Sequence, residues 1–257
     1  MKPTLDKGYL IPAVNTANVD YVRCAIKLAE SIRDWHPEVK ICLLTDQEVS
    51  EGVFDQVVKF PYAMDTQNPF ANDWQVAYAS PFRQTIKLEA DMLAASPIDH
   101  WWTLFEKKDV VISQGCRDIH NAVSNSRQYR QIFDNNNLPD VYNAITYWRY
   151  SQPAFEFFDL TKQIFTNWQQ FKQLLRFAET VPSTDVVYAM AAIILGPEKV
   201  TLPLNLGPNI VHMKRHILNL QVNDWTQQLV WEFTNPGLRL DTITQWGLVH
   251  YNKKDWF

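Results

Sequence analysis

The sequence predicts an α/β protein built on a mixed, mostly parallel sheet flanked by helices, and three observations predict it. An apolar run, Tyr9-Leu10-Ile11-Pro12-Ala13-Val14, stands near the start of the chain. A helical repeat follows it, and then a second apolar run, Ile41-Cys42-Leu43-Leu44. Strand, helix and strand in that order normally cross over right-handed into a parallel sheet, which places the loops after the strands on one shared edge. At 257 residues, 46% hydrophobic and 20% charged, the chain can bury one sizeable core. A single domain over residues 1–257 is expected.

Taken in order, the first strand covers residues 9–14, and the polar turn Asn15-Thr16-Ala17-Asn18 after it is where a nucleotide-binding loop sits in such sheets. Val14, Asn15 and Thr16 are therefore candidates for nucleotide binding. Val22, Ala25, Ile26, Ala29 and Ile32 recur at three- and four-residue spacing, the signature of an amphipathic helix that must stop before Pro37. The second strand ends in Thr45-Asp46, and Val57-Val58 adds a short third. Residues 62–81 are polar, aromatic and aperiodic, so they read as a long loop over the strand ends. Residues 83–88 lead into Glu89-Ala90-Asp91, a helical turn falls at 99–102, and Val110-Val111-Ile112 forms another strand. Residues 113–140 are again polar, a length of loop that usually serves a site. Residues 143–148 resume strand character, 154–177 carry one long helical pattern, and a second helix runs from Pro182-Ser183-Thr184-Asp185 to Gly196 with a Ser or Thr cap and a glycine stop. Short strands and loops finish the chain, with no internal repeat or Gly/Ser linker.

Composition narrows the function. A net charge of −4 supplies no global attraction to nucleic acid, though it leaves room for a local basic surface. Cys24, Cys42 and Cys116 form neither a C-x-x-C pair nor a disulfide framework, and no stretch is long and apolar enough for a bilayer. A soluble protein of a reducing cytoplasm is the expectation. The informative peptide is Lys87-Leu88-Glu89-Ala90-Asp91-Met92-Leu93. In an extended backbone alternate side chains share a face, so Glu89 and Asp91 can converge on one hard cation. The plain alternative is that both acids decorate a strand end.

In this order the segments resemble a GT-A-type (Rossmann-like) nucleotide-sugar glycosyltransferase over nearly the whole chain. The likeness is greatest to glycogenin-like enzymes and to glycosyltransferases of T4-like phages. Leu88-Glu89-Ala90-Asp91-Met92 occupies the place of the family's D-x-D motif, and Tyr142-Asn143-Ala144-Ile145 is similar to its Asn-Ala-Gly-Val strand near the acceptor, with Ile145 in place of the glycine. Ser183-Thr184-Asp185 resembles its acidic helix start. Both Val211-His212-Met213-Lys214 and Val249-His250-Tyr251-Asn252-Lys253-Lys254-Asp255-Trp256 resemble its C-terminal His…Lys-Pro-Trp motif, without the proline.

The resemblance implies a nucleotide-sugar-binding part over residues 1–115 and an acceptor-binding part over 116–257. It implies a UDP-sugar donor and Mn²⁺ or Mg²⁺ held by Asp91, Glu89 and either His250 or His212, a ligand set that suits hard divalent ions. Lys214, Lys253, Lys254 and Arg83 become candidate donor contacts facing the phosphates. Asp185 is the candidate carboxylate beside the reacting sugar, although an acid in the first turn of a helix also simply complements the dipole. Asn143, Arg127, Tyr129 and Arg130, with Arg117 and His120 nearby, become candidate acceptor contacts. Kinship with phage enzymes makes 5-hydroxymethylcytosine in DNA the implied acceptor, receiving a pentose such as arabinose or a hexose in the cytoplasm of an infected bacterium. Protein or saccharide acceptors stay open, as does a sugar-nucleotide-binding module that has lost turnover. A nucleotidyltransferase would carry a glycine-rich phosphate loop, which is not evident near Asn15.

Overall fold

The computed structural model describes residues 2–50, 52–123, 130–175, 177–178, 181–203, 206–213, 226, 229–234 and 237–254. The chain begins with β1 (Leu5–Pro12), α1 (Tyr21–Trp35), β2 (Ile41–Leu44) and β3 (Gln56–Val58). A 3₁₀ helix (Pro69–Gln75) runs into α2 (Val76–Ala79), β4 (Phe82–Leu88), β5 (Met92–Ala94), α3 (His100–Phe105) and β6 (Val110–Gln114). Then come α4 (Gln131–Asn135), β7 (Val141–Arg149), α5 (Gln152–Thr166), α6 (Trp168–Leu175), α7 (Thr184–Leu195) and α8 (Pro197–Val200). The last strands are β8 (Ile210–His212), β9 (Trp231–Thr234), β10 (Gly237–Leu240), β11 (Ile243–Thr244) and β12 (Leu248–His250).

The central sheet is six-stranded in the order β3-β2-β1-β4-β7-β6. Strands β3, β2, β1 and β4 are parallel, whereas β7 runs antiparallel to both β4 and β6. Alternation sends Tyr9, Ile11, Ile41, Leu43 and Ile86 to the core under α1, and Leu10, Cys42, Leu44 and Trp148 to the core under α5 and α7. Helices on both faces explain why these strands read as continuous apolar runs. The order of the first strands reverses between β1 and β4, so a crevice opens beyond their C-terminal ends. Antiparallel β7 brings its own beginning to that edge, with Leu88 opposite Ile145.

A second, three-stranded sheet, β5-β12-β8, carries the end of the chain back to the same place. Strand β12 lies antiparallel to β5, with His250 opposite Met92, and parallel to β8, with His250 opposite His212. Gly247 makes this return possible. Its φ is +74°, and a Cβ there would stand 2.4 Å from the carbonyl oxygen of Asn209. A third sheet has the order β11-β10-β9. Among the described residues no helix is long and apolar enough to cross a membrane.

Some expectations change. Strand β1 begins at Leu5, where the alternation is too exposed for an apolar run to mark it. The pattern over 154–177 is two helices. The Asn167 side-chain Nδ2 donates to the Gln163 carbonyl at 2.8 Å and ends α5, after which Trp168 stacks on Phe177 with centroids 5.4 Å apart. The aperiodic stretch 62–81 is not a bare loop, since it holds the 3₁₀ helix and α2. Polar side chains organise it: Asn72 accepts from the Asp65 amide at 2.8 Å, and Asp65 accepts from the amides of Gln67 and Asn68. The polar stretch 113–140 likewise contains α4.

Candidate active site

The acidic pair does not lie in a continuous strand, as alternation predicts. Strand β4 stops at Leu88 and the chain bends at Ala90 and Asp91 before β5. The bend arises because the backbone changes sheets. The Glu89 amide donates to Ala144 in β7, while the Asp91 carbonyl accepts from the Tyr251 amide just after β12. The two carboxylates still converge, and His250 joins them: one ligand atom from each of Glu89, Asp91 and His250 lies within 4.8 Å of the others. His250 Nε2 stands 3.1 Å from Asp91 Oδ2, and Nδ1 stands 3.5 Å from Glu89 Oε2. Lys254 Nζ also contacts Asp91 Oδ2.

This clustering separates the two acids electrostatically. Burial opposes ionisation of Asp91, but His250 and Lys254 outweigh it and hold the carboxyl well below the usual carboxylate range. Burial pushes Glu89 above that range; His250 works against the rise and the Asp91 charge adds to it. Two acids and an imidazole aimed at one point form a donor set that fits a hard divalent cation of the Mn²⁺ or Mg²⁺ type.

The cluster lines a cavity of about 510 Å³, a volume suited to a nucleotide-sized ligand. Pro12, Val14 and Tyr21 line it beside the end of β1, and Phe60, Met64, Pro69 and Phe70 form an apolar wall on the segment before and within the 3₁₀ helix. Asp185 also lines the cavity, in the first turn of α7, where Ser183 caps the helix by accepting from the Val186 amide at 3.3 Å. Asp185 is not left to the dipole alone. Its carboxylate accepts from Arg130 Nη1 at 2.9 Å and from the Asn143 amide at 2.8 Å, which together aim it.

The cavity lining also holds a charged pair, Lys87 and Asp73, that sequence reasoning missed. Lys87 Nζ, 3% exposed at its side chain, pairs with Asp73 Oδ1 at 2.9 Å, and Asp73 Oδ2 accepts from Tyr188 and from Asn143 Nδ2. Lys87 could have been found, because it stands two residues before Glu89 and shares its face. Asp73 lies in the aperiodic stretch and carries no such signal. Tyr142, quoted only as part of a motif, also lines the cavity. Its hydroxyl stands 2.9 Å from His250 Nδ1 and meets both ring nitrogens of His212, Nε2 at 2.8 Å.

The other candidates are distributed as follows. Val14 lines the cavity, but Asn15 and Thr16 accept from the amides of Val22 and Val19 at 3.0 and 3.1 Å and so shape the turn into α1. Arg83 is exposed at the opposite end of β4, roughly 16 Å from Leu88 at strand rise, and is no donor contact. Lys254 lines the cavity, whereas Lys253 stands outside its lining. His250, not His212, joins the acids; His212 is wholly buried behind it, with ring centroids 4.8 Å apart. Lys214, Arg127 and Tyr129 lie outside the described residues.

The acceptor-side residues are the main correction. Arg130 is 5% exposed, stacks 3.6 Å from the Phe133 ring and is consumed by Asp140 and Asp185, so it cannot meet a phosphate. Asn143 is also buried, and its side chain is taken by Asp73 and Thr146. Arg117 donates to the Asn121 carbonyl at 2.7 Å, and His120 stands 3.9 Å from Asp118.

No protein-family model matches this chain, and no curated protein sequence matches it. Solved structures do. The galactosyltransferase LgtC, in complex with donor and acceptor sugar analogs, superposes with a TM-score of 0.52 at 10% identity, covering 95% of this chain and 86% of that one. Mouse xyloside xylosyltransferase 1 in its apo form superposes with a TM-score of 0.55 at 10% identity, covering 96% of this chain and 98% of that one. With a six-stranded, mostly parallel sheet, helices on both faces and the acids at the strand ends, the chain has the GT-A fold of these glycosyltransferases.

Proposed function

We propose that the chain is a metal-dependent glycosyltransferase that moves a sugar from a UDP-sugar to an acceptor hydroxyl, with Glu89, Asp91 and His250 as the ligands of the ion. One observation carries the reading: an O, O, N ligand set and a separately clamped carboxylate, Asp185, face the same cavity at the switch point of a GT-A sheet. A divalent ion held there supplies Lewis-acid stabilisation of the negative charge that develops on the departing diphosphate. Lys254 adds a cationic side chain to the cavity lining, and Lys87, which also lines the cavity, contributes a buried positive charge. Val14 and Tyr21 border the nucleotide end.

In the transfer, a bond forms between the acceptor oxygen and the anomeric carbon, and the bond from that carbon to the diphosphate breaks. UDP leaves with the electron pair, and the acceptor proton passes to solvent or a nearby carboxylate. Asp185, held by Arg130 and Asn143, lends negative charge to the positive character that grows at the anomeric carbon. The resemblance of the sequence motifs to those of phage enzymes motivates 5-hydroxymethylcytosine in DNA as the acceptor to test, and the exposed ring of Phe70 at the cavity wall suits a flat acceptor group. The test is UDP release from a panel of UDP-sugars with Mn²⁺, with and without hydroxymethylated DNA. Release that requires this DNA and is abolished by Asp91→Asn supports the whole reading. Release without it moves the acceptor to another class, and sugar-nucleotide binding without release under any acceptor overturns the transferase.

A further inference from the structure

Two sequence segments compete for one role in the C-terminal motif, yet the fold uses both. Parallel pairing of β8 and β12 sets His212 directly beside His250, and Tyr142, from the start of β7, puts its hydroxyl between the two rings. We infer that Tyr142, backed by His212, is a positioning residue that presents His250 Nε2 to the cation; the inference rests on the metal-centre reading above.

The argument is one of hydrogen-bond inventory. For His250 to offer Nε2, which faces Asp91 at 3.1 Å, its ring proton must sit on Nδ1. Nδ1 stands 2.9 Å from Tyr142 Oη, closer than the 3.5 Å to Glu89 Oε2, so the phenol oxygen is the better acceptor for that proton. A phenol has one proton of its own, and it must go elsewhere. His212 takes it: whichever of its nitrogens carries the lone pair is within reach of Tyr142 Oη. The direction of these two bonds follows, from His250 Nδ1–H to Tyr142 and from Tyr142 O–H to His212. The rings are also held edge-on, with centroids 4.7 Å apart for Tyr142 and His212. Both His212 and Tyr142 are buried, His212 at 0% and Tyr142 at 4% exposure, so little water competes for these bonds. Partners of this kind, which touch a ligand rather than the metal, set ring orientation and basicity in known metal sites.

The experiment measures binding of Mn²⁺ alone to the full chain, by loss of the free-ion electron paramagnetic resonance signal. It compares wild type, Tyr142→Phe, His212→Gln, His212→Leu and His250→Ala. Tyr142→Phe removes one oxygen and should weaken Mn²⁺ binding about tenfold. His212→Leu should do likewise, whereas His212→Gln keeps an acceptor for the phenol proton and should bind close to wild type. Circular dichroism and melting curves report folding, and Tyr142→Phe decides the matter if a His212 variant does not fold. Wild-type affinity in folded Tyr142→Phe overturns the positioning role while leaving the metal centre standing, even if that variant melts earlier. Failure of wild type to bind Mn²⁺, with His250→Ala indistinguishable from it, overturns the metal centre itself and this inference with it.

Discussion

Replacing Arg130 by Met separates two accounts of the same residue. From the sequence it is an acceptor contact; in the fold it is the clamp on Asp185. Methionine keeps an apolar stem over Phe133 and removes only the guanidinium. The Arg130 side chain is 6% exposed and its two carboxylate partners are 24% and 36% exposed, so the ion pairs are only partly desolvated. The Asp140 pair is open to solvent on its carboxylate side and is worth under about 1 kcal/mol. The charged hydrogen bond to Asp185 contributes about 1.5 kcal/mol after discounting for its exposure, and the stacked cation about 1 kcal/mol. The expected loss is about 3 kcal/mol, or a fall in Tm of ~6–12 °C at the ~2–4 °C per kcal/mol usual for this chain length. Denaturant unfolding and a melting curve measure it, alongside kcat and the acceptor KM. The clamp account expects lower stability and lower kcat, with Arg130→Lys recovering little, since an ammonium cannot span both carboxylates. Unchanged stability with a raised acceptor KM and a shallower salt dependence would refute it and restore the phosphate-contact reading.

Other consequences are equally open to measurement. Lys87→Met strips the cation from Asp73 in a buried pair and should cost about 3 kcal/mol by urea unfolding; Asp73→Asn in the same background should recover part of that loss. Gly247→Ala forces a side chain into a left-handed backbone against the Asn209 carbonyl, costing ~1–3 kcal/mol and weakening Mn²⁺ binding, because the strain falls on the turn that seats His250. Asp55 is opposed by burial, but Lys40, the Ile41 amide and Arg33 hold it below its ordinary 3.8. A depressed folded value means that its stabilisation is fully present above the unfolded value and drains away as pH falls through the lower folded one. Urea unfolding of wild type should therefore lose stability more steeply on acidification below about pH 4 than Asp55→Asn, which carries no such linkage; parallel slopes would contradict this.

How much of this was legible follows from the range of the interactions. The β1-α1-β2 unit declares itself because burial on both faces of a strand and on one face of a helix leaves a local pattern. Glu89 and Asp91 declare themselves because their chemistry is local too, although the bend that unites them with His250 depends on bonds to β7 and β12. The choice between His212 and His250 was not legible, since it is the parallel pairing of β8 with β12 that sets one ring in front of the other. Arg83 looked close to the acids in sequence, but β4 points it away to the opposite edge. Arg130 and Asn143 read as acceptor contacts because sequence carries no mark of a partner that arrives from α7 or the 3₁₀ helix. The stretch before α2 is held by amide and carboxylate side chains rather than apolar spacing, so no period announces it.

The central claim is that one cation and one diphosphate share the edge of the sheet where the two acids meet. Anomalous diffraction from crystals grown with Mn²⁺ and UDP tests it most directly. We expect a single manganese peak within bonding range, about 2.0–2.6 Å, of Asp91, with Glu89 and His250 around it and the UDP phosphates against its open side. Manganese bound elsewhere, or UDP seated away from the Asp91 wall, would contradict the account.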